Sequence, residues 1–586
     1  MVLLKAAFIS LLATLAFALE KCLDAPTGGE YDYIVVGSGA GGGPLSARLA
    51  ENGFSVLLIE TGFDESGNPN TTSLLSSFAA IDGQLPDPSI DLAYTVNQFA
   101  PDSEVQRNDE WYPRAAGIGG CTIHNAGDNN IGALREQFDG LAQRLNDESW
   151  SRDNMQTYWA LLERNLYLAP PNADHGFDGW LKTSREPLNF TSPDPAWQAI
   201  GDAVINASGP TTVEDINSHL PLPRAAHILR STTGDDKNIR SSIRDKLVQV
   251  AADTDKLRIM TNTLATKVLL CEAGEEVVAY GVSVAAGAKL PVSHGFTGKK
   301  YLTEKHIVAK REVIISAGVF ETPHLLMLSG IGDSEQLAQA GIPTVVHLPG
   351  VGSNLQDNDE VPVYWEFANN FTAPVSFGET LSSPANFTGL EADILTYSLP
   401  FEFAGFFHGM SVLASETANV FTAISLKAYS TSKGYVRLTG SHPQDPLDIN
   451  KLRFQASGGR DDVAALRESV KRWREVLNND PEIKKYLKRE VAPGLNVTTD
   501  ADLDQYVLKN VFGHHACCTA PIGTDDDPKA VLDGDFNVRG VRNLRVVDAS
   551  VWPDIPGYAP TSPTYMLSEK AAQVIMRDAK VTVMGK

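Results

Sequence analysis

The stretch from residue 33 to residue 60 constrains this chain more tightly than any other. A short apolar run over residues 33–36 meets Gly37, Gly39 and Gly42, a helical pattern follows over 44–51, and a second apolar run over 55–59 ends at Glu60. Strand, glycine turn, helix and strand in that order predict a βαβ unit that binds a dinucleotide. Gly37 allows the tight turn, Gly39 lets backbone approach a pyrophosphate, and Gly42 lets the helix pack close to the strand. The helix N-terminus offers free N–H groups and a partial positive charge to the phosphates. Glu60 is placed to accept hydrogen bonds from a ribose hydroxyl. The motif specifies a dinucleotide and leaves FAD and NAD both open.

A chain of 586 residues, 43% hydrophobic and 21% charged, has room for two or more domains and the composition of a soluble globular protein. Its formal charge of −23 argues against nucleic acid and against anionic membrane surfaces as partners, since both would repel it. Near the start, Lys5 precedes an apolar run over 6–18 that ends in Ala16-Phe17-Ala18. That pattern predicts a signal peptide over residues 1–18 and a secreted protein. The run is short for a bilayer span, and no later segment has the pattern of one. Sequons at Asn70, Asn189, Asn206, Asn370, Asn386 and Asn496 suit a secreted glycoprotein. Cys22, Cys121, Cys271, Cys517 and Cys518 are too few for a disulfide scaffold and match no zinc spacing, so no metal site is expected. The adjacent Cys517 and Cys518 read either as a vicinal bridge or as small buried residues beside an active site.

Residues 63–110, rich in Ser, Asn, Asp and Pro, read as a long loop and, within a compact enzyme, as a lid. Residues 112–132 are again dense in glycine, and 137–167 show helical periodicity. Strand patterns return over 257–259, 266–270, 277–284 and 312–316, the last leading through a turn into a helix that glycine closes near 332. Alternating apolar residues over 360–440 suit an antiparallel sheet. A strand over 544–547, a Pro/Gly-rich loop and a helix over 564–578 end the chain.

These blocks, taken in order, resemble the glucose–methanol–choline (GMC) flavin oxidoreductases, fungal secreted type, over nearly the whole mature chain. The resemblance rests on the glycine loop with Glu60, GIGGCTIHNA at 117–126, TPHLLMLSGIG at 322–332 and PGVGSNLQD at 349–357. GHHACCTAPIG at 513–523, RVVDASVWPDIP at 545–556 and SEKAA at 568–572 complete it. It implies FAD as cofactor and a fold of mixed α/β and α+β class. That fold joins an FAD-binding Rossmann-like domain built from discontinuous segments to a substrate domain with a large antiparallel sheet. The implied division gives the FAD-binding domain 30–135 (with the lid loop), 226–350 and 526–586, and the substrate domain 136–225 and 351–525.

Residue roles carry over from the same resemblance. Gly37, Gly39 and Gly42 cradle the pyrophosphate, Glu60 holds the adenosine ribose, and the backbone at Ala265 contacts adenine. Cys121 and Asn125 lie along the flavin, and Asp548 and Ala549 close over the pyrophosphate from the C-terminal side. His124 occupies the place where the choline oxidase branch carries a histidine bonded to the flavin. A covalent tether and a simply packed histidine both stay open there.

Alcohol oxidation needs a hydride acceptor and a base for the hydroxyl proton, and imidazole suits the second task near neutral pH. His515 sits where the family places that base. His514, its neighbour, is expected to point elsewhere, because adjacent side chains diverge on a regular backbone. The chain departs from the family at the second catalytic position, ten residues before Glu569, where His or Asn is usual and Ala559 stands. Alanine has no group for a substrate oxygen; Tyr558 and Thr561 are the candidates to compensate. Asn358 is a further departure, replacing a histidine after NLQD, and so are Ala116 and Cys121 in the first Gly-Gly block. Phe401, Phe403, Phe406 and Phe407 form an aromatic cluster that reads as either an apolar substrate pocket or core packing. With an apolar alcohol, lactol or polyketide as substrate, the chain fits secondary metabolism. Two readings follow: an FAD-dependent alcohol oxidase or dehydrogenase, with oxygen or a quinone as electron acceptor, or a non-redox lyase or cyclising dehydratase that uses His515 for acid–base work.

Overall fold

The structure is a computed structural model. It describes residues 19, 21–22, 28–73, 87, 89–105, 110–127, 135–185, 192–207, 212–213, 224–226, 239–293, 296–372, 378–381, 392–407 and 416–584; the signal-peptide reading of residues 1–18 lies outside them. Two sheets organise the molecule. At the centre of the first, Tyr31–Val36 pairs in parallel with Val56–Ile59 on one side and Glu304–Ile315 on the other. Leu257–Met260 extends it beyond Val56–Ile59, and Leu544–Val546 joins Glu304–Ile315. The long antiparallel ribbon of Thr263–Ala273 and Glu276–Ala286 adds to the far edge. The central strands read as unbroken apolar runs (Ile34-Val35-Val36, Val56 to Ile59, Val313 to Ile315) because they are buried on both faces.

The second sheet has seven strands and is antiparallel except for its last pair. Its order is Leu487–Ala492, Asp359–Phe367, Val420–Lys427, Ile394–Leu399, Gly378–Leu381, Arg224–Ala226 and Thr212–Val213. Period-two alternation along Asp359–Phe367 sends Val361, Val363 and Trp365 into one cluster with Leu466, Val470 and Trp473 of the helix Gly459–Asn479. Glu360 and Tyr364 face the other way, and their side chains meet the hydroxyl of Tyr397 and the carbonyl of Phe403.

Several expectations are corrected. The 63–110 region is not an irregular loop throughout: Pro69–Thr72 is a helical turn, and Tyr94–Val96 pairs antiparallel with Glu110–Tyr112. Three-residue strands are too short to register as periodicity. The pattern over 137–167 resolves into Arg135–Leu145 and Arg152–Leu162, and the chain then runs extended over Glu163–Asn165. These helices, assigned from sequence to the substrate domain, bury Phe138, Trp159 and Leu162 in the cluster that holds the first sheet and the terminal helix Thr561–Met584. The cysteines do make one link: Cys22 and Cys271 form a disulfide across 249 residues. Cys517 and Cys518 are buried free thiols with sulfurs 2.6 Å apart. Among the described residues, no helix is long and apolar enough to cross a membrane.

Candidate active site

One cavity runs from the glycine loop to the second sheet. Gly37 ends the first strand with φ +101°, and a Cβ there would lie 2.1 Å from the Ser316 carbonyl oxygen. The turn is thus pressed against the neighbouring strand with no room for a side chain. Gly39 differs. A Cβ on it would meet nothing closer than Gly120 Cα at 3.9 Å, so its surface is open to the cavity that it lines. Gly42 begins the helix Gly42–Glu51, where a Cβ would strike the Gly37 carbonyl oxygen at 2.1 Å. The resulting cradle is backbone, facing a void with a helix N-terminus at its end, and it fits a dinucleotide pyrophosphate.

Glu60 also lines the cavity, but its carboxylate is fully engaged. Oε2 accepts from Ser38 N (3.2 Å) and Ser38 Oγ (2.6 Å), and Oε1 accepts from Gly62 N (2.9 Å) and Gly117 N (3.2 Å). Burial raises its pKa against the pull of those four donors. The residue therefore latches two glycine loops together, a task the motif alone did not reveal, and a ribose hydroxyl would have to share its oxygens. Ala265 lines the same end, on the strand whose partner is Val284.

Asp548 works similarly from the C-terminal side. Its Oδ2 accepts from Gly318 N (2.9 Å) and Thr322 Oγ1 (2.6 Å), capping the helix Gly318–Leu328, while Oδ1 takes Ser550 N at 2.8 Å. Ala549 follows it on the wall, as do Cys121, His124 and Asn125 opposite. The Asn125 amide oxygen is held by Arg240 Nη1 at 2.7 Å and Gly127 N at 3.1 Å. The ring nitrogens of His124 find no hydrogen-bond partner among the described residues. Burial, with help from Arg114, Arg240 and His514, lowers its pKa to about 3, so the ring is neutral at physiological pH.

At the far end stands His515. Its Nδ1 lies 2.9 Å from Asn358 Oδ1. The amide orientation of Asn358 is fixed independently, because Nδ2 donates to the carbonyls of Lys427 (2.8 Å), Ala428 (3.1 Å) and Gly557 (3.0 Å). Oδ1 can only accept, so His515 carries its hydrogen on Nδ1 and its lone pair on Nε2. The backbone N–H of His515 donates to Asp357 Oδ1 at 2.7 Å. Asp357 is held ionised well below the usual carboxylate range by Lys451 and Arg453, against its burial. Burial pushes the His515 imidazole well below the ordinary histidine value; His514 and Arg114 push the same way, while Asp357 and the Tyr558 carbonyl oppose. The resting ring is a neutral base.

Ala559 lines the cavity, so the position read as the second catalytic one does face it. Tyr558 and Thr561, the candidates to compensate, line the same cavity, and their hydroxyls differ in what they already hold. Tyr558 turns its hydroxyl to the Ala392 carbonyl at 3.1 Å, and Thr561 receives the Asn125 amide at 3.5 Å. Phe401, Phe403 and Phe406 line the cavity, whereas Phe407 is 37% exposed and lies off the wall. The expectation for His514 fails. It lines the cavity beside His515, the ring centroids 4.1 Å apart. Residues 513–516 form no regular strand, so the divergence of neighbouring side chains does not apply.

The GMC oxidoreductase family models match residues 31–360 and 430–568. The chain belongs to the GMC oxidoreductases. At 30% identity, spanning 94% of each chain, it is similar to oxygen-dependent choline dehydrogenase of Pseudomonas syringae pv. tomato. It is 28% identical to choline oxidase of Arthrobacter globiformis, over 93% of this chain and 94% of that one. Aspergillus oryzae formate oxidase, solved in a study of FAD modification, superposes with a TM-score of 0.80 at 22% identity, covering 95% of this chain and 100% of that one, and so shares the fold. This GMC oxidoreductase is an FAD-dependent enzyme, and the cradle described above has the shape and donors that FAD requires.

Proposed function

We propose that this protein oxidises a small apolar or aromatic alcohol or lactol, with His515 as the base. Bound FAD supplies what no side chain here can, acceptance of a hydride from the carbinol carbon. His515 Nε2 takes the hydroxyl proton. The observation that carries this reading is the Asn358 contact, which puts the ring hydrogen on Nδ1 and leaves a basic nitrogen for the cavity. Phe401, Phe403 and Phe406 give the wall an apolar, aromatic character that favours such substrates over free sugars. Oxygen or a quinone accepts the electrons afterwards. Similarity to a choline dehydrogenase and a choline oxidase supports redox chemistry, and nothing in the named relatives favours the lyase or cyclase alternative.

Two further readings belong with this one. A neutral imidazole at His124, with no hydrogen-bond partner among the described residues, supports a covalent bond to the flavin; yellow colour that stays with the denatured polypeptide is the expected result, and free flavin in the supernatant would refute it. Secretion is supported by the leader pattern and by the Cys22–Cys271 disulfide, a bond suited to an oxidising compartment. Asn206, Asn370 and Asn496 are exposed and suit glycans, whereas Asn70 is engaged with Asp87 at 2.9 Å.

The main test is the visible flavin spectrum under anaerobic conditions while aromatic and aliphatic alcohols and lactols are added. Bleaching is expected, and readmitted air shows whether oxygen is the acceptor. Conversion of a substrate with the flavin oxidised throughout would overturn the proposal in favour of non-redox chemistry.

A further inference from the structure

Ala559 leaves the alcohol-binding end of the cavity one polar group short, and a second imidazole stands nearby. His514 Nδ1 lies 3.0 Å from Glu360 Oε1, close enough for an ion pair although the ring is turned off the line of a strong hydrogen bond. Glu360 is wholly buried. Its Oε2 accepts the Tyr397 hydroxyl at 2.5 Å, and its backbone exchanges two 3.0 Å hydrogen bonds with Phe512. Phe406 packs edge-on against the His514 ring at 4.8 Å, and Arg114 Nη1 holds the His514 carbonyl at 3.0 Å. The ring is fixed on several sides, and its Nε2 has no partner among the described residues. The ionisable groups around it are Glu360 and Tyr397 from the second sheet, His515 on its own segment, and Arg114 and His124 from the first Gly-rich block.

The two adjacent imidazoles are backed by different groups. Asn358 presents an amide oxygen to His515, which fixes a tautomer without matching a charge. Glu360 presents a carboxylate to His514, which does match one, and a buried carboxylate needs a cation or donors around it. We propose that the His514–Glu360 pair supplies the polar function that Ala559 lacks. His514, its Nδ1 set against the Glu360 carboxylate at 3.0 Å, donates Nε2–H to the substrate oxygen while His515 Nε2 accepts the hydroxyl proton. The oxygen gains negative charge as that proton leaves, and a donor already aimed at it stabilises the charge. His514 is then a catalytic residue and Glu360 a positioning residue acting through it. This division of labour rests on the alcohol-oxidation reading above.

The test uses the flavin-loaded full-length protein and has two parts. Benzoate places an anionic oxygen in the aromatic-lined cavity and cannot be oxidised there; its binding is followed by the flavin spectrum. His514→Ala should weaken it about 10- to 100-fold, the worth of one charge-assisted hydrogen bond, and Glu360→Gln should weaken it in the same direction. Unchanged benzoate affinity in both variants overturns the assignment, whatever the alcohols do. In the second part, flavin reduction by an alcohol that bleaches the wild type should slow about 100-fold in His514→Ala. Adding Ala559→Asn to that variant should recover at least tenfold of the rate, on the same scale. A merely structural His514 would not be rescued from position 559. A His514→Ala rate within about threefold of wild type, or no recovery in the double variant, contradicts the proposal. If His514→Ala loses its flavin, Glu360→Gln, which keeps the side-chain shape, provides both readouts. A wild type that no alcohol bleaches would refute the oxidation reading, while the benzoate titration still judges the pair.

Discussion

At the dinucleotide end of the cavity the walls are backbone. Gly37 and Gly42 let strand, turn and helix pack closely, Gly39 leaves a bare surface on the cavity, and Glu60 and Asp548 spend oxygens on loop N–H groups. At the substrate end the walls are side chains: His515 oriented by Asn358, His514 facing Glu360, and three phenylalanines around them. The cradle is therefore broken by adding atoms, and the substrate end by removing them. A backbone cradle suits a ligand that never changes, whereas side chains can be exchanged one at a time, as Ala559 illustrates.

Substitutions sharpen this contrast, beginning with the largest effect. Gly37→Val places a branched side chain on the Ser316 carbonyl at a positive φ, where the strands cannot part. It should cost on the order of 4 kcal/mol or more and prevent recovery of a folded flavoprotein, checked by thermal unfolding and flavin content. Gly39→Ala should behave differently. Its Cβ clears the protein, so unfolding of the flavin-free chain is unchanged, but it intrudes on the cradle. FAD binding should weaken by about 1–3 kcal/mol, measured by titration. If both variants unfold alike, the cradle is not an open backbone surface.

At the other end, Asn358→Leu removes the group that sets the His515 tautomer. Flavin content should hold while kcat falls about 10- to 100-fold; an unchanged kcat would mean that the amide does not select the ring's lone pair. The smallest effect concerns pH. Because burial lowers the pKa of His515, the base stays deprotonated as pH falls through the ordinary histidine value of 6.5. The acid limb of kcat/KM, which reports the free enzyme, should lie below that value. An acid limb at or above 6.5 would contradict a buried neutral base.

The cradle was legible because its parts are neighbours in sequence: strand, glycines, helix and Glu60 lie within thirty residues of one another. His515 was legible through the block around it. The groups that hold its ring and backbone were not, since Asn358 and Asp357 come from about 157 residues away. Asn358 registered merely as a departure, and the three carbonyls that lock its amide become visible once the second sheet and the C-terminal loop are packed together. His514 was set aside on a rule for regular backbone that residues 513–516 do not obey. The helices 135–162 were correctly read as helical but placed with the wrong partner, because an apolar stripe does not say which surface will cover it. The Cys22–Cys271 bond, closing 249 residues, left no local mark at all.

The central claim is that the Nε2 lone pair of a neutral His515 takes the substrate proton beside a flavin held without its help. The most direct measurement is the rate of anaerobic flavin reduction in wild type and His515→Ala, with flavin content determined for both. The account predicts full flavin occupancy and a rate at least about a hundredfold lower in the variant. A flavin-replete His515→Ala protein reduced at nearly the wild-type rate would contradict it.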